Sequence, residues 1–202
     1  MEYPLLFQNL IDCFKRLPGV GNKSAEKMAF DVLSMSKENI ELFKKAFENI
    51  NNLTKCPICG NMSMNDNICE ICANEERNHK LICVVSSPKD VYTFEKMKEY
   101  NGVYHVLNGI ISPSKNKGYN DINLDSLINR VKDNDIEEVI LATDLTMDGE
   151  ITAMYITKLL NKNNASLKVS RLAHGLPMGA QLDYADEMTL FKAYYNRKQI
   201  DK

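Results

Sequence analysis

The chain has 202 residues, 44% hydrophobic and 26% charged, with a formal net charge of −2. That length fits one large domain or two to three small ones. The near-neutral balance excludes a surface coated in basic residues, so any nucleic acid must be held by a local patch. No apolar run reaches the length of a membrane span, and the opening MEYPLLFQNLIDCF lacks the basic flank and cleavage site of a signal peptide, as expected of a cytoplasmic protein.

Residues 1–53 read as helical. Leu6, Leu10, Phe14 and Leu17 recur at helical spacing and predict an amphipathic helix over 4–16. Leu17-Pro18-Gly19-Val20-Gly21 breaks it. A second helix is expected from about Lys23, with Ala25, Met28, Ala29, Val32 and Leu33 inward, and a third over 37–49 carrying Ile40, Phe43, Phe47 and Ile50. Cys13 and, further on, Cys83 sit among apolar neighbours and read as reduced core thiols.

The break carries chemistry. Gly19 and Gly21 let the backbone turn tightly and approach a ligand, and the start of the next helix offers unpaired N–H groups that suit a phosphate. Lys23 stands beside that start and Lys27 one turn later on the same face. Between Cys13 and Phe30 the chain has Lys15, Arg16, Lys23 and Lys27 against Glu26 alone. Helix, Leu-Pro-Gly-Val-Gly and helix resemble the helix-hairpin-helix motif of DNA-binding proteins. Such a site grips phosphates and reads no bases, so binding is expected to be sequence-independent and salt-sensitive. The alternative is a plain turn with a solvated charged face.

Residues 54–78 hold two matched knuckles, Cys56-Pro-Ile-Cys59 and Cys69-Glu-Ile-Cys72, with nine residues between them. Each knuckle aims two thiolates at one point, and four soft ligands suit a closed tetrahedral Zn2+ site that is structural. The alternatives are two disulfides or a redox dithiol. The intervening Gly60–Asn67 loop is too polar to pack a core, so the metal is expected to replace one. Met62 and Met64 are expected against the knuckles, and His79 in an exposed linker.

From about residue 79 to 175 strands and helices alternate, predicting a parallel, doubly wound α/β sheet. Leu81–Val85, Val103–Leu107, Val139–Thr143 and Leu167–Leu172 are the expected strands. Ser87, Pro88 and Asp90 are expected to open a helix that Gly102 closes, and further helices are expected over 124–132 and 148–162. The third strand runs into Asp144-Leu145-Thr146-Met147-Asp148-Gly149-Glu150, at the carboxyl ends where such sheets bind ligands. Asp144, Asp148 and Glu150 are hard ligands of the kind Mg2+ takes. Residues 133–150 contain seven acids and no Lys or Arg, so one rim is expected to be strongly negative. No Gly-rich phosphate loop occurs, so ATP is not expected as a ligand. His174 reads as a loop residue. Asp186 is expected to cap or charge a last helix over about 185–196, in a C-terminal segment, 176–202, expected to make oligomer contacts, with Tyr194 and Tyr195 as candidates.

This segment resembles the Toprim domain of topoisomerases, primases and some repair proteins, whose catalytic form has a Glu after the first strand and Asp-x-Asp after the third. Here Ser86 and Thr146 stand at the first and last of those positions. Too few acids remain for two-metal phosphoryl chemistry, so Mg2+ binding and an Mg-dependent nuclease, topoisomerase or primase-like activity form only the alternative reading.

In order, the hairpin, the four-cysteine module, the Toprim-like sheet and the tail Arg171-Leu-Ala-His-Gly-Leu-Pro177, with Gly179 and Leu182–Leu190, resemble the RecR family of bacterial recombination mediators. Ser86 departs even from that family, which usually has Glu there. The resemblance implies a non-enzymatic protein that binds DNA without sequence preference. It implies ring-shaped homo-oligomers, typically tetramers, that encircle DNA and act with RecO and RecF at gaps to help load RecA onto SSB-coated strands. It further implies that Gly19, Gly21, Lys23 and Lys27 contact DNA, and that the rim of Asp144, Asp148 and Glu150 faces a protein partner, RecO.

Overall fold

The computed structural model describes residues 2–133, 135–173 and 175–199. The chain divides into two compact units, Met1–Leu53 and Thr54–Lys202. His174 lies outside the described residues.

The first unit contains α1 (Leu5–Lys15), α2 (Asn22–Leu33) and α3 (Lys37–Asn49). Its small core is Ile11, Ala25 and Ala29, with Phe7, Leu10, Phe14 and Val20 packed around them. Two fully buried alanines let α1 and α2 approach closely. The inward stripe of α1 is therefore 7, 10, 11 and 14, rotated from the expected one. Leu6 and Leu17 are exposed, and so is Cys13, which is not a core thiol. On α2, Met28 and Leu33 are also exposed, and on α3 no residue is buried. Ser36 caps α3, accepting from Asn39 N–H at 3.3 Å.

Two short strands, β1 (Leu53–Lys55) and β2 (Met62–Met64), form a ribbon, and the one-turn α4 (Glu70–Ala73) follows. Four strands follow: β3 (Asn78–Val85), β4 (Gly102–Val106), β5 (Glu138–Ala142) and β6 (Lys168–Arg171). They form one all-parallel sheet in the order β4-β3-β5-β6. The helices are α5 (Pro88–Glu95), α6 (Leu124–Asp133) and α7 (Met147–Asn163), with α8 (Glu187–Tyr195) after the sheet.

Alternating strand residues serve opposite faces. Ile82, Val84, Val103, Val139 and Leu141 pack under α6 and α7 with Leu127, Ile156 and Leu160. Cys83, Val85, Tyr104 and Val106 pack with Val91 and Phe94 of α5 and with Ile71 of α4. Burial on both faces explains why these strands read as continuous apolar runs.

Three expectations need correction. Gly102 does not close a helix. The helix stops at Glu95, Lys98 at φ 58° helps reverse the chain, and Gly102 is the first residue of β4. A Cβ there would meet the Tyr100 ring and the Leu81 carbonyl, so packing requires the glycine. His79 is exposed as expected but lies in β3 rather than a linker, where its Nε2 pairs with the Asn74 carbonyl at 2.9 Å. Met62 and Met64 are exposed rather than packed on the knuckles. The cap signals at α5 hold: Asp90 accepts from the Ser87 N–H at 2.8 Å. Among the described residues, no helix is long and apolar enough to cross a membrane.

Candidate nucleic-acid interface and metal centre

The turn between α1 and α2 is short and bare. Gly19 sits at φ 82°, the left-handed region, and the Val20 N–H donates to the Leu17 carbonyl at 3.1 Å. Gly21 is the N-cap of α2 and has no side chain to offer. The first bond back into the turn is Ala25 N–H to the Gly21 carbonyl at 2.9 Å. The preceding amides of the first turn thus face outward unshielded, carrying the positive end of the helix dipole. Nothing lies within 4 Å of where a Cβ of Gly19 or Gly21 would stand. Lys23 and Lys27 are both exposed, and among the described residues neither is ion-paired. Lys15 is different: it pairs with Asp12 at 3.4 Å, so the basic patch is narrower than the count along the chain implies.

The four module cysteines converge. The Sγ atoms of Cys56, Cys59, Cys69 and Cys72 all lie within 4.8 Å of one another, and all four residues are buried. No cysteine among the described residues is disulfide-bonded, and the Cys59–Cys69 sulfurs stand 3.5 Å apart. Four thiolates around tetrahedral zinc stand about 3.8 Å apart, so the donor set fits that ion with little adjustment. The surrounding amides support it: Cys69 N–H points to the Cys56 sulfur at 3.4 Å, and Cys56 N–H bonds the Asn61 carbonyl at 2.7 Å. The neighbouring thiols of Cys59 and Cys72 favour the charged form of Cys69 and lower its pKa from the ordinary value. Apart from the half-buried Ile71, the module's core is the cysteines themselves.

The module is bonded to the sheet. Val106 N–H donates to the Cys59 carbonyl at 2.7 Å, and Asn108 Nδ2 donates to the Gly60 carbonyl at 3.0 Å. Arg77 pairs with Glu95 and donates to the Gly102 carbonyl at 2.9 Å, while the Tyr104 hydroxyl donates to Glu95 at 2.6 Å.

The acidic loop is locked rather than open. Thr146 caps α7, its Oγ1 accepting from Gly149 N–H at 3.2 Å, and Thr143 Oγ1 donates to the Gly149 carbonyl at 2.8 Å. A Cβ on Gly149 would collide with the Asp144 backbone carbonyl. Ser86 is buried, and its Oγ accepts from Asp144 N–H at 3.3 Å. The guanidinium of Arg171, from β6, spans the loop. It donates to the carbonyls of Leu141 and Thr143 at 2.9 Å each, to that of Asp144 at 3.2 Å, and to Glu150 Oε1 at 2.8 Å.

The rim is therefore less negative than expected. Lys80 pairs with Asp135 and Glu137 at 2.9 Å each, Lys168 with Glu138 at 2.8 Å, and Arg171 with Glu150. Asp144 and Asp148 keep unpaired carboxylates among the described residues. A cleft of about 250 Å³ beside Asp144 is lined by Asp90, Thr93, Phe94, Thr143 and Leu172. Its second carboxylate, Asp90, is already engaged by Ser87.

In the sequence Arg171 belongs only to the tail pattern, and nothing near it signals that it clamps this loop; nor does any local pattern single out Gly149. Asp186 behaves as expected, capping α8 by accepting from Thr189 N–H at 2.9 Å.

Three family models match in chain order. They are the RecR helix-hairpin-helix over residues 7–50, the Toprim domain over 80–173 and the RecR C-terminal region over 175–198. The first falls on the bare glycine turn and its two lysines, the second on the parallel sheet with its clamped loop, the third on α8, and the four-cysteine cluster sits between the first two. Together the three matches span most of the chain, which belongs to the RecR family.

Proposed function

We propose that this chain is a non-catalytic, DNA-binding recombination mediator that acts with RecO and RecF at gapped DNA and helps load RecA onto SSB-coated single strands. The observation that carries the reading is the uncapped, electropositive turn at Gly19–Lys23 within a chain of RecR-family domains. Lys23 and Lys27 hold backbone phosphates there, with no base readout. Zn2+ in the four-cysteine centre maintains the fold.

The protein works as a homo-oligomer, a ring tetramer in the cytoplasm. Exposed apolar faces support assembly: Leu42, Phe43, Phe47 and Ile50 at the end of the first unit, and Phe191, Tyr194 and Tyr195 in the C-terminal segment. The rim meets RecO through charge complementarity. Asp144 and Asp148 carry its free charge, and Glu150 contributes through the Arg171 pair that shapes the loop.

The Mg-dependent Toprim enzyme is the weaker reading. Ser86 supplies a hydroxyl where that chemistry uses a carboxylate. Thr146 is spent on a helix cap, and a guanidinium sits on Glu150.

The test is assembly of RecA on SSB-coated gapped DNA with RecO present. The wild type accelerates it, Lys23→Ala/Lys27→Ala does not, and Asp144→Asn/Asp148→Asn loses RecO association while keeping DNA affinity. Mg-dependent nicking by the purified chain alone would overturn the proposal.

A further inference from the structure

The loop leaving β4 at the carboxyl edge of the sheet, residues 107–123, is built with more bonds than a connection needs. Ser112 and Lys117 exchange two backbone bonds, at 2.9 and 3.0 Å, around a turn of 3-10 helix at Pro113–Lys115. Asn116 sits in the left-handed region at φ 53°. Ile111 N–H donates to Thr152 Oγ1 at 3.0 Å, which fastens the loop to α7. The only acid between Asn108 and Asn123 is Asp121, and its carboxylate accepts from Gly118 N–H at 2.7 Å.

This frame presents two lysines and an aromatic ring. Lys115 and Lys117 are exposed, and neither is ion-paired among the described residues. Tyr119 is 51% exposed. Its inner side stacks on Tyr155 of α7, centroids 5.8 Å apart and planes 22° from parallel. Tyr155 lies two turns past Asp148, about 10 Å along the helix, so the acidic first turn is set back from the stack.

A half-exposed ring held by a second ring behind it, next to unpaired lysines, matches what a flexible polyanion with free π-faces needs. Lysines meet the phosphates, and an unstacked base extends the tyrosine pair to a stack of three. A duplex offers the same phosphates and no free base face. We propose that Lys115, Lys117 and Tyr119 form a second nucleic-acid contact, selective for single strands. It is separate from the α1–α2 turn and does not rest on the DNA reading of that turn.

The chain has no tryptophan, so Tyr119→Trp introduces a sole indole at the site. It is titrated with an oligothymidylate and with a blunt duplex of equal length, binding of each being followed independently by anisotropy of labelled DNA. The oligothymidylate is expected to quench the indole saturably, and the duplex to leave it unquenched. Lys115→Ala/Lys117→Ala should take about 1.4 off the single-strand salt slope. Tyr119→Ala should weaken single-strand binding by about tenfold, while Tyr119→Phe, which keeps the ring, retains it. Bound oligothymidylate with an unchanged indole signal, or equal single-strand affinity for Tyr119→Ala and wild type, overturns the proposal. The same titration in a Lys23→Ala/Lys27→Ala background separates the sites. Duplex affinity there reports the α1–α2 turn, and the indole reports the loop.

Discussion

The starts of α2 and α7 are opposites. At α2 the N-cap is Gly21, no side chain caps the first amides, and Lys23 and Lys27 are exposed and unpaired among the described residues. At α7 the N-cap Thr146 bonds the helix amide itself, Asp148 and Glu150 fill the first turn, and Arg171 fixes the loop from outside. The first start is open and positive, which suits an anion. The second is closed, and the carboxylates in its first turn would repel a phosphate. Fold-level likeness to a catalytic domain thus says little about chemistry, because the side chains at the helix start decide what can bind.

The contrast extends to what holds each region. The α1–α2 turn depends on a few small residues, the second unit on a four-cysteine cluster fit for a metal and on a two-faced core. Loss of the metal should therefore have the largest effect and a local one. Structural zinc contributes about 10–16 kcal/mol to folding in isolated finger peptides. Chelation, or Cys59→Ser, should abolish amide protection around residues 54–73 in hydrogen exchange while α1 and α2 stay protected. Unchanged exchange in the module would count against the metal as its core.

Glycine substitutions sharpen the comparison next. Gly149→Ala drives a Cβ into the Asp144 carbonyl and should cost about 2–4 kcal/mol. Gly21→Ala meets open space at φ −85° and should cost under about 1 kcal/mol. Equal melting shifts for the two variants would remove the distinction between locked and open turns.

Acid should weaken the second unit through His105. This side chain is fully buried in β4, its Nε2 bonded to the Asn123 carbonyl at 2.7 Å, while Nδ1 has no partner among the described residues. Burial, with a smaller push from the Arg130 guanidinium, lowers its pKa from 6.5 to about 4. The folded value is depressed and the neutral form is the native one. Stability is therefore fully present above pH 6.5 and falls as pH drops toward 4, by up to about 3 kcal/mol. Urea midpoints against pH should slope over that window, and His105→Gln should flatten the slope. A smaller effect is expected of Arg171→Gln, about 1–3 kcal/mol from lost charged hydrogen bonds, read by thermal unfolding.

Much of this was legible in the chain. The paired CxxC knuckles, the glycine turn with Lys23 and Lys27, and the apolar strand runs depend on neighbours in sequence, and they folded as read. What failed depended on distant partners. On α1 the stripes 6, 10, 14 and 7, 10, 11, 14 share Leu10 and Phe14, and only the alanines of α2 choose between them. Gly102 looked like a helix stop until the Tyr100 ring was in place. The run of acids looked uncompensated because Lys80, Lys168 and Arg171 all come from outside it.

The central claim is that the open helix start binds nucleic acid backbone. The most direct measurement is duplex affinity across a salt series for wild type and Lys23→Ala/Lys27→Ala, with the mass of the assembly recorded alongside. Two lost phosphate contacts should reduce the slope of log K against log salt by about 1.8, with the assembly mass unchanged. Identical affinities and slopes from assemblies of equal mass would contradict the account and leave the turn a connection between two helices.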